Sequence, residues 1–286
     1  MGNQSFYDYL FQSLPQIHRF HMPACPTYQV MAIAARREIE KSFDENTECK
    51  ASFGPFGELH FPYHKMGTIN SLDLFGLDEL ILFSFYWQNQ CRYNRVADIG
   101  GNIGIHTVLL LRAGFDVRTF EPDPIHMAHI QTNLILNECN TGSLYRAAVS
   151  DHDGMADFVR VLGNTTGSHL AGAKDSPYGD LERFEVEVVD IRPIIEWADF
   201  MKIDAEGHEA QMLAATNSYD WQNTDAMVEV GTVKNADFIF NHLNDLGVNM
   251  FSQKTGWSQV SNRAQMPKSY KEGTLFITSK SEICWE

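Results

Sequence analysis

A glycine-rich segment at residues 96–104 is the feature that most constrains what this chain folds into. It reads Val-Ala-Asp-Ile-Gly-Gly-Asn-Ile-Gly, a short apolar run that leads directly into three glycines. Glycine allows the backbone to turn sharply and to approach a ligand closely, and the N–H groups that open the following helix face an anionic group. The segment predicts a buried strand that turns into a helix around a bound small molecule. Its candidate binding residues are Asp98, Gly100, Gly101, Asn102 and Gly104.

The chain from residue 95 onward alternates between strand and helix patterns. Strands are predicted at 95–99, 116–121, 143–149, 199–204, 225–230, 248–252 and 273–279. Helices are predicted near 104–113, 124–138, 207–216 and 234–246. This alternation indicates a doubly wound α/β fold, with a mostly parallel, Rossmann-like sheet of seven strands and helices on both faces. Right-handed crossovers then place the carboxyl ends of the strands along one edge, where ligands bind.

A carboxylate, Glu121, ends the second of these strands, seventeen residues after the last glycine of the turn. A carboxylate at this position is typical of a nucleoside site, because it accepts hydrogen bonds from both ribose hydroxyls. The glycine spacing departs from the G-x-G-x-x-G fingerprint of dinucleotide sites, which favours a ligand without a pyrophosphate. S-adenosylmethionine is such a ligand, since its carboxylate can meet the helix start while its cationic groups tolerate nearby acids. The two segments together predict an S-adenosylmethionine site.

The third predicted strand ends in small residues followed by a carboxylate. Ala147 and Ala148 leave room for a flat adenine ring, and Asp151 is a candidate acceptor for the amino group of that ring. A plain turn over residues 151–154 explains the same pattern equally well. Asp151 is therefore a candidate cofactor-binding residue with a structural alternative.

At the fourth predicted strand the chain resembles the FkbM-type methyltransferase family, within the seven-stranded S-adenosylmethionine-dependent class. The resemblance extends over roughly residues 95–231, and its pieces are the glycine turn, Glu-Pro-Asp-Pro at 121–124 with Asn133 and Asn137, Ala-Val-Ser-Asp at 148–151, and Lys-Ile-Asp-Ala-Glu-Gly-His-Glu at 202–209. Gly101 stands where alanine is more usual, and His208 stands where a small residue is. The resemblance implies O-methylation, commonly of a hydroxyl on a sugar or another natural product.

Methyl transfer to a hydroxyl is an in-line displacement, so the acceptor oxygen must be held against the methyl group. An alcohol is a poor nucleophile, and a positioned base therefore helps. The candidates are Asp204 first, Glu206 second and His208, and Asp204 is also a candidate cofactor-binding residue. A carboxylate touching the sulfonium would stabilise the ground state more than the transition state. The useful carboxylate is therefore expected to face the acceptor hydroxyl.

The composition of the chain limits the classes of substrate and partner that are expected for it. The net charge of −15 disfavours a nucleic acid substrate, because an acidic surface repels phosphates. No apolar run approaches eighteen residues, so no membrane span is predicted. Five widely spaced cysteines without zinc-like spacing indicate reduced thiols in a cytoplasmic protein. Hard oxygen ligands at Asp204, Glu206 and Glu229 suit a divalent metal, but the resemblance does not call for one, and no metal is predicted.

Two regions complete the predicted organisation. Residues 1–94 are predicted to form an N-terminal extension of helices and a β-hairpin, which is a candidate substrate cap. Residues 95–286 are predicted to form the S-adenosylmethionine-binding methyltransferase domain. Specificity for a small-molecule or glycan acceptor is expected in residues 1–94 and in the loop at 163–183. A nicotinamide-dependent oxidoreductase and a non-catalytic S-adenosylmethionine-binding protein stay open as alternatives, and no pattern predicts the oligomeric state.

Overall fold

The computed structural model describes residues 5–141, 143–173 and 179–285. Residues 1–4 of the predicted extension and 174–178 of the predicted specificity loop lie outside the described residues. The α-helices are α1 (Phe6–Ser13), α2 (Pro26–Phe43), α3 (Leu77–Gln88), α4 (Ile105–Arg112), α5 (Pro124–Leu136), α6 (Ile191–Trp197), α7 (Glu209–Ala214) and α8 (Val233–Asp245). None of these helices combines the length and the apolar character needed to cross a bilayer.

The strands belong to a central sheet, a second sheet and two short hairpins. In chain order they are β1 (Lys50–Ser52), β2 (Glu58–His60), β3 (Lys65–Met66), β4 (Ile69–Asn70), β5 (Arg95–Ile99), β6 (Asp116–Phe120), β7 (Leu144–Tyr145), β8 (Ala147–Ser150), β9 (Gly154–Val161), β10 (His169–Leu170), β11 (Leu181–Asp190), β12 (Phe200–Ile203), β13 (Asp225–Glu229), β14 (Asn249–Ser252), β15 (Ser258–Gln259) and β16 (Thr274–Thr278).

The central sheet has the order β15-β14-β16-β13-β12-β5-β6-β7. The strands from β13 to β7 in that order are parallel, and β16 runs antiparallel between β13 and β14. The chain starts in the middle of the sheet with β5, moves outward to β7, and then returns to β12 on the other side of β5. This order confirms the doubly wound, mostly parallel fold. An eighth strand, the two-residue β15, pairs with β14 and extends one edge of the predicted seven.

The predicted third strand at 143–149 is divided between two sheets. Its first part, β7, stays in the central sheet, whereas β8 pairs in parallel with β11 in a second sheet of order β10-β9-β11-β8. The long antiparallel pair of β9 and β11 presents an open edge that satisfies the β8 backbone. The apolar side of this second sheet packs into a small core of its own, formed by Ala148, Phe158, Leu170, Val186 and Val188.

Two apolar cores lie on opposite faces of the central sheet, because successive residues of a strand point to opposite sides. Phe200 of β12 belongs to the first core and its neighbour Met201 to the second, and the same alternation separates Met227 from Val228 in β13. The first core also contains buried side chains of α1, α2, α3, α4 and α5, and the second contains those of α6, α7 and α8. The N-terminal segment is thus packed against the α4 face of the sheet.

Local signals explain where several helices begin. Asp123 is the N-cap of α5, where its Oδ1 accepts the Ile125 N–H at 2.8 Å, and Pro124 fills the first helical position. The short helix α6 was not predicted from the sequence. Its N-cap, Asp190, accepts the Arg192 N–H at 2.8 Å and starts a helix of seven residues whose first turn contains Pro193. The predicted helix at 207–216 begins two residues later, at Glu209.

Candidate active site

The glycine turn connects β5 to α4 and is held from two sides. The N–H groups of Gly100 and Gly101 both donate to the Phe120 carbonyl of β6, at 2.9 and 3.1 Å. Gly100 has a φ of +78°, and a Cβ at this position would lie 1.8 Å from the Asp204 carbonyl oxygen. Only glycine fits so close to the neighbouring backbone. The turn is thereby fixed between the carboxyl ends of β6 and β12.

Asn102, in the middle of this turn, has the left-handed φ of +51°. A left-handed backbone at a residue other than glycine stores strain, and such residues cluster at functional sites. The Asn102 N–H donates to Glu121 Oε2 at 2.8 Å, which ties the turn to the end of β6. Its side-chain Oδ1 is enclosed and has no hydrogen-bond partner among the described residues. The turn therefore presents an unused acceptor beside Glu121.

Glu121 is buried, with 5% of its surface exposed, at the point where β6 ends. Its Oε1 accepts the Asp123 N–H at 2.8 Å, in addition to the Asn102 bond on the other oxygen. Burial raises the pKa of Glu121 to about 8, although these two backbone bonds act in the opposite direction. His126 Nδ1 lies 4.0 Å from Oε1, and burial lowers the pKa of that imidazole to about 4. The two backbone bonds hold the carboxyl group in place, but they offset only part of the cost of burying its charge.

A cavity of about 590 Å³, including its open mouth, lies between the glycine turn and the second sheet. One part of its lining is apolar and comes from Phe120, Pro122, Ala148, Phe158 and Leu170. The other part is polar and contains six of the residues predicted from the sequence, namely Gly100, Asn102, Glu121, Asp204, Glu206 and His208. The cavity therefore combines an apolar lining with carboxylates, which is the usual composition of a small-molecule site.

The second sheet covers the cavity and is anchored at two places. Thr165 Oγ1 and His126 Nε2 are 3.1 Å apart, and both residues line the cavity. The Thr68 N–H donates to the Gly163 carbonyl at 2.7 Å, which attaches the N-terminal segment to the same loop. The described part of the loop predicted at 163–183 thus contacts both the α5 side of the cavity and the N-terminal segment.

Arg160 of β9 joins the second sheet to the start of α5 through a buried ion pair. Its Nε and Nη2 donate to the two carboxylate oxygens of Asp123 at 2.6 and 2.7 Å. The Arg160 side chain is 7% exposed and that of Asp123 is 1% exposed. Paired contacts of this kind between guanidinium and carboxylate are strong and geometrically specific. This pair therefore fixes the cavity wall relative to the strand that carries Glu121.

We expect Arg160→Ala to lower the free energy of unfolding by about 3 kcal/mol, because it leaves the Asp123 carboxylate buried without its partner. Arg192→Ala is the matched control, since Arg192 pairs with Asp190 on the same sheet but its side chain is 58% exposed. The measurement is urea unfolding of both variants followed by circular dichroism. Equal losses in the two variants would contradict a special role for the Asp123 pair.

The end of β12 brings a carboxylate and a buried lysine together beside the glycine turn. The Asp204 N–H donates to the Ile99 carbonyl of β5 at 3.0 Å, and its side chain is 28% exposed. Lys202 Nζ lies 3.6 Å from Asp204 Oδ2 and donates to the Gly100 carbonyl at 2.9 Å. Asp204 is thus accessible from the cavity on one side and paired with an ammonium group on the other.

The segment after Asp204 is shaped by a buried carboxylate. Glu209 Oε1 accepts the N–H groups of Ala205 and Gly207, both at 3.0 Å. Between them Glu206 has the left-handed φ of +51°, and it lines the cavity. His208 also lines the cavity, but its Nε2 is 2.8 Å from Ser150 Oγ at the end of β8. Burial lowers the pKa of His208 below its usual value.

Four of the predicted residues do not line the cavity. Asp98 is fully buried behind it, where it accepts the Thr107 hydroxyl at 2.7 Å, and Gly101 and Gly104 lie within the turn. A Cβ at Gly101 would lie 2.5 Å from Thr119 Cγ2, so this glycine allows the turn to pack on β6. Asp151 is the fourth residue that does not line the cavity.

Asp151 follows β8, and its carboxylate lies on the surface rather than in the cavity. Its Oδ1 accepts hydrogen bonds from Ser150 Oγ at 2.9 Å and from Gln211 Nε2 at 3.2 Å, and it is 2.6 Å from His152 Nδ1. The His152 bond, followed by the Ser150 and Gln211 bonds, lowers the pKa of Asp151. These contacts agree with the turn alternative for residues 151–154.

Three groups near the site were not among the predicted site residues. The first two are Lys202 and Glu209, which belong to the recognised motif at residues 202–209. Their charges in and beside a buried strand were the sequence signal that could have identified them. The third group is a hydrogen-bonded chain in which His106 Nε2 is 3.0 Å from Glu79 Oε2 and His106 Nδ1 is 2.9 Å from the Tyr86 hydroxyl. It joins α3 of the N-terminal segment to α4. Within the described ranges, no cluster of three or more His, Cys, Asp or Glu side chains suits a metal ion.

A family model described as the methyltransferase FkbM domain matches residues 98–250, which is more than half of the 286-residue chain. The match begins in β5 and ends in β14, and it includes the glycine turn, Glu121 and the Asp204 segment. It confirms the resemblance that the sequence motifs indicated. None of the curated proteins matches this chain.

Several solved methyltransferase structures are similar to this chain. The methyltransferase domain of METTL16 is 11% identical, with 98% of this chain and 94% of that chain covered and a TM-score of 0.43. The O-methyltransferase from Bacillus cereus, in complex with SAH, is 12% identical, with 68% and 78% covered and a TM-score of 0.33. The ribosomal protein L11 methylase from Lactobacillus delbrueckii subsp. bulgaricus is 12% identical, with 69% and 75% covered and a TM-score of 0.35.

Proposed function

Because this chain belongs to the FkbM methyltransferase family and is an S-adenosylmethionine-dependent methyltransferase, we propose that it methylates a hydroxyl group of a sugar, a glycan or another small natural product. The observation that carries this proposal is the position of Asp204. Its carboxylate lines the cavity at the end of β12, beside the glycine turn, and is partly accessible. A hydroxyl acceptor needs such a base within reach, because it must lose its proton as the oxygen is methylated.

The residues around the cavity fit S-adenosylmethionine. The apolar slot formed by Phe120, Pro122, Ala148, Phe158 and Leu170 suits an adenine ring. The fixed Glu121 carboxylate suits the ribose hydroxyls, and the unused Asn102 Oδ1 suits a polar hydrogen of the ligand. We propose that Gly100, Asn102, Glu121 and Asp204 contact the cofactor. Asp98, Gly101 and Gly104 are proposed to shape the turn that receives it.

The bound cofactor supplies an electrophilic methyl carbon on a sulfonium. In the proposed reaction the acceptor oxygen forms a bond to that carbon, the carbon–sulfur bond breaks, and its electron pair returns to sulfur. The Asp204 carboxylate accepts the hydroxyl proton, and Glu206 is the second candidate for this role. His208 ranks below both as a candidate base, because its Nε2 is already in contact with Ser150 Oγ.

The charge and the cysteines support the remaining parts of the proposal. A net charge of −15 favours a neutral small molecule or glycan over a nucleic acid as the acceptor. No disulfide joins the cysteines within the described residues, and we propose a reducing, cytoplasmic setting. We propose that residues 1–94 cap the acceptor side of the methyltransferase domain at 95–286. In support of this, the Thr68 N–H donates at 2.7 Å to the carbonyl of Gly163, in the loop whose Thr165 and Thr166 line the cavity.

The test is a transfer assay with the full chain and S-adenosylmethionine carrying a ¹³C-labelled methyl group. Acceptors are offered in matched sets, namely sugars, glycosides and polyols, the corresponding amino compounds, and short RNA oligonucleotides. We expect a gain of one labelled methyl by mass and a methoxy signal by NMR with a hydroxylated small molecule. Labelled product with an amine or an RNA, and none with hydroxyl compounds, would overturn the proposal.

The raised pKa of Glu121 leads to a pH-dependent cofactor affinity. With a pKa of about 8 in the free protein, Glu121 is mostly protonated at pH 7, whereas acceptance of two ribose hydroxyls requires the ionised form. Cofactor binding therefore releases a proton below pH 8. We expect affinity to rise about fivefold from pH 7 to pH 8, and about twofold more before it levels off near pH 9. Calorimetry with S-adenosylhomocysteine at a series of pH values measures this directly.

The control for this measurement is Glu121→Gln, which keeps the shape of the side chain but has no proton to release. We expect weaker binding at every pH and no slope between pH 7 and pH 8. The neighbouring His126 has a pKa of about 4 and stays neutral over this range, so it adds no slope of its own. A wild-type affinity that is constant from pH 6 to pH 9 would contradict the role assigned to Glu121.

A further inference from the structure

Lys202 is the one buried lysine in the part of the chain that the structure describes. It lies in β12, between β5 and β13, and its Nζ donates to the Gly100 carbonyl at 2.9 Å. The same ammonium is 3.7 Å from Asp98 Oδ1 and 3.6 Å from Asp204 Oδ2. Gly100 and Asp204 both line the cavity, so the lysine charge lies directly behind the cavity wall.

Carboxylates from several elements surround this single ammonium. Burial alone would lower the pKa of Lys202, but Asp204 and Asp98, followed by Glu79 of α3 and Glu229 of β13, raise it above its usual value. Burial, with Asp204, Glu206, Glu79 and Glu209 adding to it, raises the pKa of Glu229 well above its usual value. The groups that face Lys202 are therefore the carboxyl groups of Asp98, Asp204, Glu79 and Glu229, which together with Lys202 form a buried charge cluster. His106 lies at the edge of this cluster, hydrogen-bonded to Glu79.

This imbalance of charge matters for methyl transfer. The sulfonium of the cofactor loses its positive charge in the reaction, so carboxylates beside it stabilise the reactant more than the transition state. Little water enters a buried site, and electrostatic interactions there are stronger than in bulk solvent. An ammonium placed among those carboxylates offsets their field. Its bond to the Gly100 carbonyl also fixes the turn that receives the cofactor.

We propose that Lys202 is a positioning residue, whose buried ammonium holds the glycine turn through the Gly100 carbonyl and offsets the charges of Asp98 and Asp204 behind the cavity wall. The inference rests on the proposed function only for the identity of Asp204 as the base. Its effect on cofactor binding does not depend on which acceptor the enzyme uses.

The test compares the affinities of S-adenosylmethionine and S-adenosylhomocysteine by calorimetry, because the two ligands differ by the methyl group and the positive charge on sulfur. We expect Lys202→Met to weaken the binding of both ligands through the freed turn. We also expect it to shift the ratio of the two affinities about three- to tenfold in favour of S-adenosylmethionine, since the cluster becomes more negative. With an acceptor in hand, kcat should fall more than the KM for S-adenosylmethionine rises.

Three further variants make the result specific. Lys202→Arg keeps the charge and should keep the wild-type affinity ratio. Lys254→Met is the matched control, since Lys254 also bonds a carbonyl, that of Met266 at 3.2 Å, and a carboxylate, that of Glu272 at 3.0 Å, away from the site. Glu79→Gln removes a negative charge from the cluster and should shift the ratio in the opposite direction, which tests the proposal even where Lys202→Met fails to fold.

The outcomes separate this inference from the proposed function. An affinity ratio that Lys202→Met leaves unchanged, or that moves in the same direction in Glu79→Gln, overturns the role of Lys202. A failure to methylate any hydroxyl compound overturns the proposed acceptor and leaves the binding measurement intact. A shift that appears equally in Lys254→Met would show a general effect of charge and would also overturn the inference.

Discussion

Asp204→Asn is expected to lower kcat about 10²- to 10⁴-fold, while the affinity for S-adenosylmethionine changes by no more than about tenfold. The asparagine side chain has the same shape and keeps its place beside the glycine turn, but it does not accept a proton from the acceptor hydroxyl. The proposed cofactor contacts of the apolar slot and of Glu121, which both line the cavity, stay in place in this variant. Initial rates with the acceptor found in the transfer assay, and calorimetry with the cofactor, give the two numbers.

Two other carboxylates serve as comparisons for Asp204. Asp199 precedes the opposite end of β12, where it pairs with Arg95 at 2.9 Å, so Asp199→Asn should keep the full kcat of the folded enzyme. Glu206→Gln tests the second candidate base. A larger loss of kcat in Glu206→Gln than in Asp204→Asn would move the base to Glu206. Unchanged turnover in Asp204→Asn would remove Asp204 from the mechanism.

Prediction from the sequence succeeded where a short segment contains the residues that determine its own conformation. The glycines of the turn, the carboxylate that ends β6 and the acidic segment after β12 each follow an apolar strand, and parallel strands bring their carboxyl ends to one edge. That rule was enough to bring together Gly100, Asn102, Glu121 and Asp204, which all line one cavity. The alternation of strand and helix patterns predicted the central strands, because short apolar runs separated by helical segments can be recognised locally in the chain.

The sequence was less informative where a residue depends on a distant partner. Asp151 ends a strand in the same way as Glu121, but the chain leaves the central sheet at β8 to pair with β11, and the carboxylate lies on the surface. Nothing within residues 143–151 indicates that change of sheet. Lys202 posed a similar problem, since its role depends on Asp98 and Gly100, about a hundred residues earlier in the chain.

The N-terminal segment shows the same limit on a larger scale. Its aromatic and apolar residues read as an unassigned extension, yet Phe83 and Tyr86 of α3 are buried in the same core as Leu109 of α4. Apolar spacing over residues 73–90 predicts a helix laid against the main sheet, and the ring centroids of Phe85 in α3 and Phe200 in β12 do lie 5.6 Å apart. That spacing does not show that α3 is buried on all sides over residues 80–86. The contact of Glu79 with His106 is a consequence of this packing. It places a carboxylate of the segment next to the helix that follows the glycine turn.

Gly100→Ala is expected to lower the free energy of unfolding by about 3–5 kcal/mol and to abolish measurable cofactor binding. The φ of +78° strains any residue with a side chain, and the added Cβ would lie 1.8 Å from the Asp204 carbonyl oxygen. Neither backbone segment can yield easily, because the turn is bonded to β6 and Asp204 is bonded to β5. Urea unfolding and calorimetry with S-adenosylhomocysteine are the measurements.

The variant Gly114→Ala separates the two causes of the loss in Gly100→Ala, which are backbone strain and the steric clash of the added Cβ. Gly114 has a φ of +94°, but no atom lies within 4 Å of the Cβ that alanine would add, so only the backbone strain applies there. We expect a loss of about 1–2 kcal/mol and unchanged cofactor affinity. The difference between the two variants then measures the clash between the turn and β12. Equal losses would mean that β12 moves aside at little cost, and the distance between Gly100 and Asp204 would not be what shapes the cofactor site.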